Sequence, residues 1–138
     1  MARPVDGPPA RCVDAAATRQ MSGRVTGIGG LFFRADDPQA LKAWYAEHLG
    51  IDASPVWSQD AGPTVFAPFD AETDYWPGAR QCTLNLGVEA LDELVDKLAE
   101  SGIAAERRPG EWDHPQVGRF ARIHDPEGNP IELWEPPA

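Results

Sequence analysis

Apolar positions along this chain recur with two helical periods and several strand-like ones. Leu41, Trp44, Tyr45 and Leu49 fall three or four residues apart, which gathers them on one face of a helix. Asp37 is placed to cap that helix, Pro38 suits its first position, and Gly50 suits its close. Leu91, Leu94, Val95 and Leu98 predict a second helix that ends near Gly102. A strand-like run precedes each helix, at 25–34 and at 83–88, and a Gly-Ile pair follows each, Gly50-Ile51 and Gly102-Ile103. The chain therefore reads as two copies of strand, helix, strands, offset by about fifty residues, enough for one supersecondary unit per copy. The second copy finishes with predicted strands at 104–108, 119–124 and 131–135. The first has candidates only at 51–57 and 64–69, so one of its strands is short or missing.

Strand parity divides the side chains between two faces. Leu84, Leu86 and Val88 suit the side covered by a helix, leaving Thr83, Asn85 and Gly87 for the other. By the same alternation, Gly30, Phe32 and Arg34 lie opposite Leu31, Phe33 and Ala35. Asp125, Pro126, Gly128 and Asn129 carry the chemistry of a tight turn, so the last two strands form a hairpin. Pairing across it puts Phe120, Arg122 and His124 on one face with Glu132 and Trp134, while Ile131 and Leu133 point to the other. A carboxylate in mid-strand avoids apolar surroundings unless paired or ligated, so the Glu132 face lines a polar cleft or meets water.

The 138 residues suffice for one domain or a compact pair of modules. A net charge of −10 disfavours nucleic-acid backbones and anionic membranes as partners. Cys12 and Cys82 give no basis for a disulfide, which points to a reducing, cytoplasmic location. Residues 1–24, rich in Pro and Ala without a continuous apolar run, read as a disordered leader, and Met21 is an alternative start. No segment is apolar and long enough to span a bilayer.

Three segments, GLFFRADDPQALKAWYAEHLGI, LNLGVEALDELVDKLAESGI and HDPEGNPIELWEP, are each weak signals whose order and spacing are together specific. The chain resembles the vicinal oxygen chelate superfamily, which includes glyoxalase I, bleomycin-resistance proteins and extradiol dioxygenases. The resemblance implies an α+β fold for 25–138. Two βαβββ modules, about 25–78 and 79–138, would form a curved, cup-shaped mixed sheet with helices outside. It also implies a homodimer and a small-molecule pocket, and many members hold a divalent metal there. Carried over residue by residue, the metal positions fall on Gly30 and near Thr83, and 64–69 contains no carboxylate, so only Glu132 matches. A metal site needs three or four convergent protein ligands, so no metal or other cofactor is expected.

The leading expectation is a small organic ligand in a cup lined by Phe32, Arg34, Thr83, Asn85, Arg122 and Trp134, with Glu132 and His124 as the candidate acid–base pair. Trp57, Trp76 and Trp112 lie in connecting segments that could rim such a pocket. The alternative is a metal-dependent lyase, isomerase or dioxygenase using Glu132 and His124, with Asn85 or His114 approaching. A third reading has the cup filled by side chains and leaves dimerisation or partner contact as the role.

Overall fold

The computed structural model describes residues 23–52 and 55–138. The expected leader, apart from Gly23 and Arg24, and the alternative start at Met21 lie outside the described residues. The chain divides into one unit ending at Phe33 and another from Arg34 to Ala138. Within the first, residues 23–33 form no strand, and Val25, Ile28, Leu31 and Phe32 are exposed, Phe32 by 94%. The strand predicted for 25–34 is therefore corrected. A strand is stabilised by a neighbouring strand that takes its N–H and C=O groups, and among the described residues this run is not part of the sheet.

The second unit opens with α1 (Pro38–Leu49). Its N-terminus is capped as predicted, with Asp37 accepting from the Ala40 N–H at 3.1 Å. Gly50 ends the helix in the left-handed region, φ 69°, where a Cβ would be strained. Then come β1 (Leu84–Gly87), α2 (Leu91–Glu100), a single-turn α3 (Pro109–Trp112), β2 (Arg119–His124) and β3 (Pro130–Glu135). The strands form one three-stranded mixed sheet in the order β1-β3-β2, with β1 parallel and β2 antiparallel to β3.

Several sequence expectations hold closely. Both long helices, the strand before α2 and the closing hairpin form where the pattern placed them. Others fail. The strand expected at 104–108 is reduced to a single bridge between Glu106 and Arg122. The described residues of 51–57 and all of 64–69 lack strand structure, and Val56, Val65 and Phe66 are exposed. Among the described residues the second half thus builds most of a βαβββ unit, and the first contributes its helix without the strands. The architecture is α+β, with one small mixed sheet instead of two clear modules.

The core lies on one side of that sheet. Leu41 and Tyr45 of α1 and Leu91 and Leu98 of α2 pack with Ala121 and Ile123 of β2 and with Ile131 and Leu133 of β3. Leu84, Leu86 and Val88 pack against this cluster, as their parity required. Fully burying a leucine or isoleucine contributes roughly 1.5–3 kcal/mol, so these few contacts fix the register of all three strands.

One polar anchor enters the core. Asp125, only 5% exposed, begins the β2–β3 turn. It accepts from the Tyr45 hydroxyl at 2.8 Å, from the Glu127 and Asn129 N–H groups at 2.9 and 3.0 Å, and from the Asn129 side-chain amide at 2.8 Å. Burial, and then the adjacent Asp125 carboxylate, push the Tyr45 hydroxyl far above its ordinary pKa. Glu127 reaches back from the same turn to accept from the Asp36 and Asp37 N–H groups at 2.7 and 2.9 Å. The entrance of α1 and the hairpin turn are thereby tied together.

Candidate functional site

With one face of the sheet committed to the core, the other carries the polar side chains. The register sets Asn85 of β1 beside Glu132 of β3, and Arg122 of β2 opposite it on the other flank. Three consecutive strands thus present an amide, a carboxylate and a guanidinium in one row. Phe120 pairs with Trp134, and His124 pairs with Pro130, so the predicted sharing of faces across the hairpin holds.

Both oxygens of Glu132 are engaged. Oε1 accepts from the Asn85 side-chain amide at 2.5 Å, and Oε2 accepts from the Tyr75 hydroxyl. Tyr75 makes a second contact, its carbonyl accepting from Arg122 Nη2 at 2.6 Å. The Arg122 guanidinium carbon lies 4.8 Å from the centroid of the Tyr75 ring and 5.0 Å from that of Trp112, within cation–π range of both. Arg108 sits over Trp112 as well, at 5.2 Å. Phe69 stacks on Tyr75 with centroids 5.9 Å apart and planes 21° apart, and Trp76 meets Phe69 at 5.1 Å. The site is a short polar row under a group of aromatic rings.

Local structure explains how Tyr75 arrives there. The connection from Asp70 to Arg80 is folded by the Thr73 N–H donating to Asp70 and the Arg80 N–H donating to Pro77. The Trp76 indole donates to the Arg80 carbonyl at 3.0 Å, and Arg80 in turn donates to the Glu127 carbonyl at 2.8 Å. This pins the loop to the hairpin turn. Burial, followed by the hydrogen bond to Glu132 and its charge, pushes the Tyr75 hydroxyl up to about 12, with Arg122 pulling in the opposite direction. Tyr75 is consequently a neutral donor throughout the physiological range.

Sequence reasoning placed Asn85, Arg122 and Glu132 together, and the structure does so. It does not join His124 to Glu132. His124 is exposed at the end of β2, two pairs farther along the ladder, and the carboxylate oxygens are held by Asn85 and Tyr75. Thr83 spends its hydroxyl on the Pro130 carbonyl at 3.1 Å. The Trp134 indole donates to the Val117 carbonyl at 2.8 Å, holding the loop before β2. Arg34 is exposed, and Phe32 belongs to the unit that ends at Phe33. Tyr75 was missed, because residues 70–80 show neither helical nor strand periodicity. The Tyr75-Trp76 pair inside an acidic loop was the available signal.

Two open clefts lie elsewhere. A groove of about 600 Å³ runs along Asp113, His114, Arg119, Glu135 and the last three residues. A second, of about 400 Å³, lies between the C-terminal ends of α1 and α2, beside His48, Lys97 and Ser101. Neither includes the Glu132 row.

The donor set does not fit a metal. Among the described residues no three His, Cys, Asp or Glu side chains converge as a metal-binding group, and Glu132 stands among an amide, a phenol and a guanidinium. The family model of the glyoxalase-like domain matches residues 30–134. The chain belongs to this family. In the glyoxalase-like domain the matched span takes in α1, all of the sheet but Glu135, and the Glu132 row. The crystal structure of TnmS3, an antibiotic binding protein from Streptomyces sp. CB03234, is similar in fold. The match has a TM-score of 0.51 and 24% sequence identity, and covers 83% of this chain and 99% of that one. No curated protein sequence matches significantly. Among the described residues no helix of this glyoxalase-like protein is long and apolar enough to cross a membrane.

Proposed function

We propose that this glyoxalase-like protein binds a small organic molecule on the open face of its sheet, without a metal, and releases it unchanged. The observation that carries this reading is the Asn85–Glu132–Arg122 row set beneath Tyr75 and Trp112. Such a surface combines flat apolar area with a few convergent polar groups, the usual composition of a small-molecule site. Trp134 adds its ring at the edge of the row, its indole N–H being committed to Val117. The family supports many chemistries on one scaffold, so fold alone does not decide among them. TnmS3, an antibiotic binding protein, is a case in which this fold serves binding. The reading includes a homodimer and a cytoplasmic location.

A binding role is favoured over catalysis by the placement of His124. A general base must reach the proton it moves within about 2.6–3.2 Å or through one water, and a carboxylate that orients it must be free to do so. Glu132 is already held by two donors. The test is native mass spectrometry of the protein equilibrated with a library of polycyclic aromatic molecules, alongside Arg122→Ala and Trp112→Ala. Retention of intact compounds by the wild type and their loss from both variants is the expected result. Undiminished binding in both variants would remove the site from this face. Metal analysis of protein purified without chelator is expected to show substoichiometric metal, and a stoichiometric ion lost in Glu132→Ala would overturn the metal-free reading.

A further inference from the structure

We infer that Tyr75 is an internal stand-in for the ligand, and that the ligand's recognised part is therefore a neutral hydroxylated aromatic ring. This rests on the binding reading above and specifies the chemistry of that same site.

Tyr75 does not belong to the sheet that carries the row. It comes from an irregular loop and lays its half-buried ring over Arg122. Its hydroxyl satisfies one Glu132 oxygen and its carbonyl satisfies Arg122. A ligand that reaches these groups must first displace what Tyr75 supplies, or leave a carboxylate and a guanidinium unpaired in a partly desolvated place. The least costly replacement is one that reproduces the same contacts.

The charges at the row narrow the class. An anionic ring beside Glu132 meets a like charge, and a cationic ring meets Arg122, whose guanidinium carbon stands 4.8 Å from the ring position. A neutral hydroxyl that donates to Glu132 while its π-face meets Arg122 satisfies both neighbours. A simple phenol titrates near pH 10, so it is neutral under ordinary conditions, as Tyr75 is. A ring system broader than a single phenol would extend toward Trp112, whose ring stands beside that of Tyr75 with centroids 6.4 Å apart and also meets Arg122. Displacement of Tyr75 lowers the apparent affinity by the fraction of molecules in which its ring has left the row.

The test is calorimetric titration at neutral pH with three probes of one size: 2-naphthol, 2-methoxynaphthalene and 2-naphthoate. Wild-type protein is expected to prefer 2-naphthol over the other two by about tenfold, the value of one hydrogen bond to a charged acceptor. Tyr75→Ala should bind 2-naphthol about tenfold more tightly than wild type, since the competing ring is gone. Tyr75→Phe, which keeps the ring and removes the hydroxyl, should gain less, and it serves where the alanine variant folds poorly. Glu132→Gln should abolish the preference for 2-naphthol over 2-methoxynaphthalene. Unchanged or weaker binding in both Tyr75 variants would show the ring to be a wall of the site and overturn the inference. Equal binding of all three probes, or binding of none, would overturn the phenolic class. Either outcome leaves the binding reading to be judged by the library screen with Arg122→Ala and Trp112→Ala.

Discussion

At the scale of single residues, Tyr75 and Glu132 set the chemistry of the open face. The chain has two tyrosines, and both are raised above their ordinary range, Tyr75 to about 12 and Tyr45 further. In the unfolded chain each loses its proton near pH 10. Between that pH and the folded values, the folded protein binds more protons than the unfolded one, so stability falls as pH rises. The contribution is fully present below about pH 10 and is lost as the pH rises through about 12 for Tyr75. Ultraviolet titration should accordingly show almost no phenolate at pH 10 in the native protein, and phenolate should appear together with loss of structure. Tyr75→Phe should reduce this alkaline loss without removing it, because Tyr45 remains bonded to Asp125. A normal titration of one tyrosine near pH 10 in folded protein would count against the Tyr75–Glu132 hydrogen bond.

At the scale of elements, the closing hairpin is held by positions that tolerate little change. Gly118 has φ 126°, and a Cβ there would collide with the Glu135 carbonyl and crowd the Trp134 indole nitrogen. Because the obstacle is backbone, Gly118→Ala should cost about 3 kcal/mol through strain and displacement of β3. Asp125→Ala removes the acceptor from the Tyr45 hydroxyl, two backbone N–H groups and the Asn129 amide, and should also cost about 3 kcal/mol. Urea denaturation should show both as lower midpoints, and a change below about 0.5 kcal/mol, the range of ordinary surface substitutions, would contradict the accounts given. These elements were legible in the sequence because their signals are local. A cap, a Gly-terminated helix and a Pro-Glu-Gly-Asn turn each specify structure within a few residues. The strands expected at 25–34 and 64–69 were not, because alternation shows only that a segment suits a sheet and says nothing of whether a partner is within reach. Tyr75 was illegible for a related reason: its partners are 47 and 57 residues away, and its own loop has no period.

At the scale of the whole molecule, the same segments outside the sheet leave large apolar side chains in water. Phe66 is 84% exposed and Val65 76%, and Phe32, in the unit ending at Phe33, is 94% exposed. Single exposed apolar residues are ordinary, but runs of them mark surfaces that another molecule covers. The homodimer proposed for this protein predicts a sedimentation mass of twice the 15.0 kDa chain. Phe66→Asp should shift that mass toward the single chain, since it places a charge where an apolar contact is needed. A wild-type protein that remains monomeric at the highest measurable concentration would refute the dimer. It would leave the ligand tests unaffected, since those depend on the Glu132 row of a single chain.

The link between Tyr45 and Asp125 spans 80 residues of sequence. Closing a loop of that length carries an entropic penalty that grows only as its logarithm, yet it must be met before the contact yields anything. The hairpin and α2 are assembled from neighbours in sequence, so they have the means to form early, while α1 docks only after the long closure. Native-state hydrogen exchange should then find the amides of β2 and β3 among the last to open and those of α1 opening with a smaller free energy. On that outcome the buried hydroxyl on Asp125 is a latch between α1 and the hairpin, and its strength sets how often α1 detaches from the sheet.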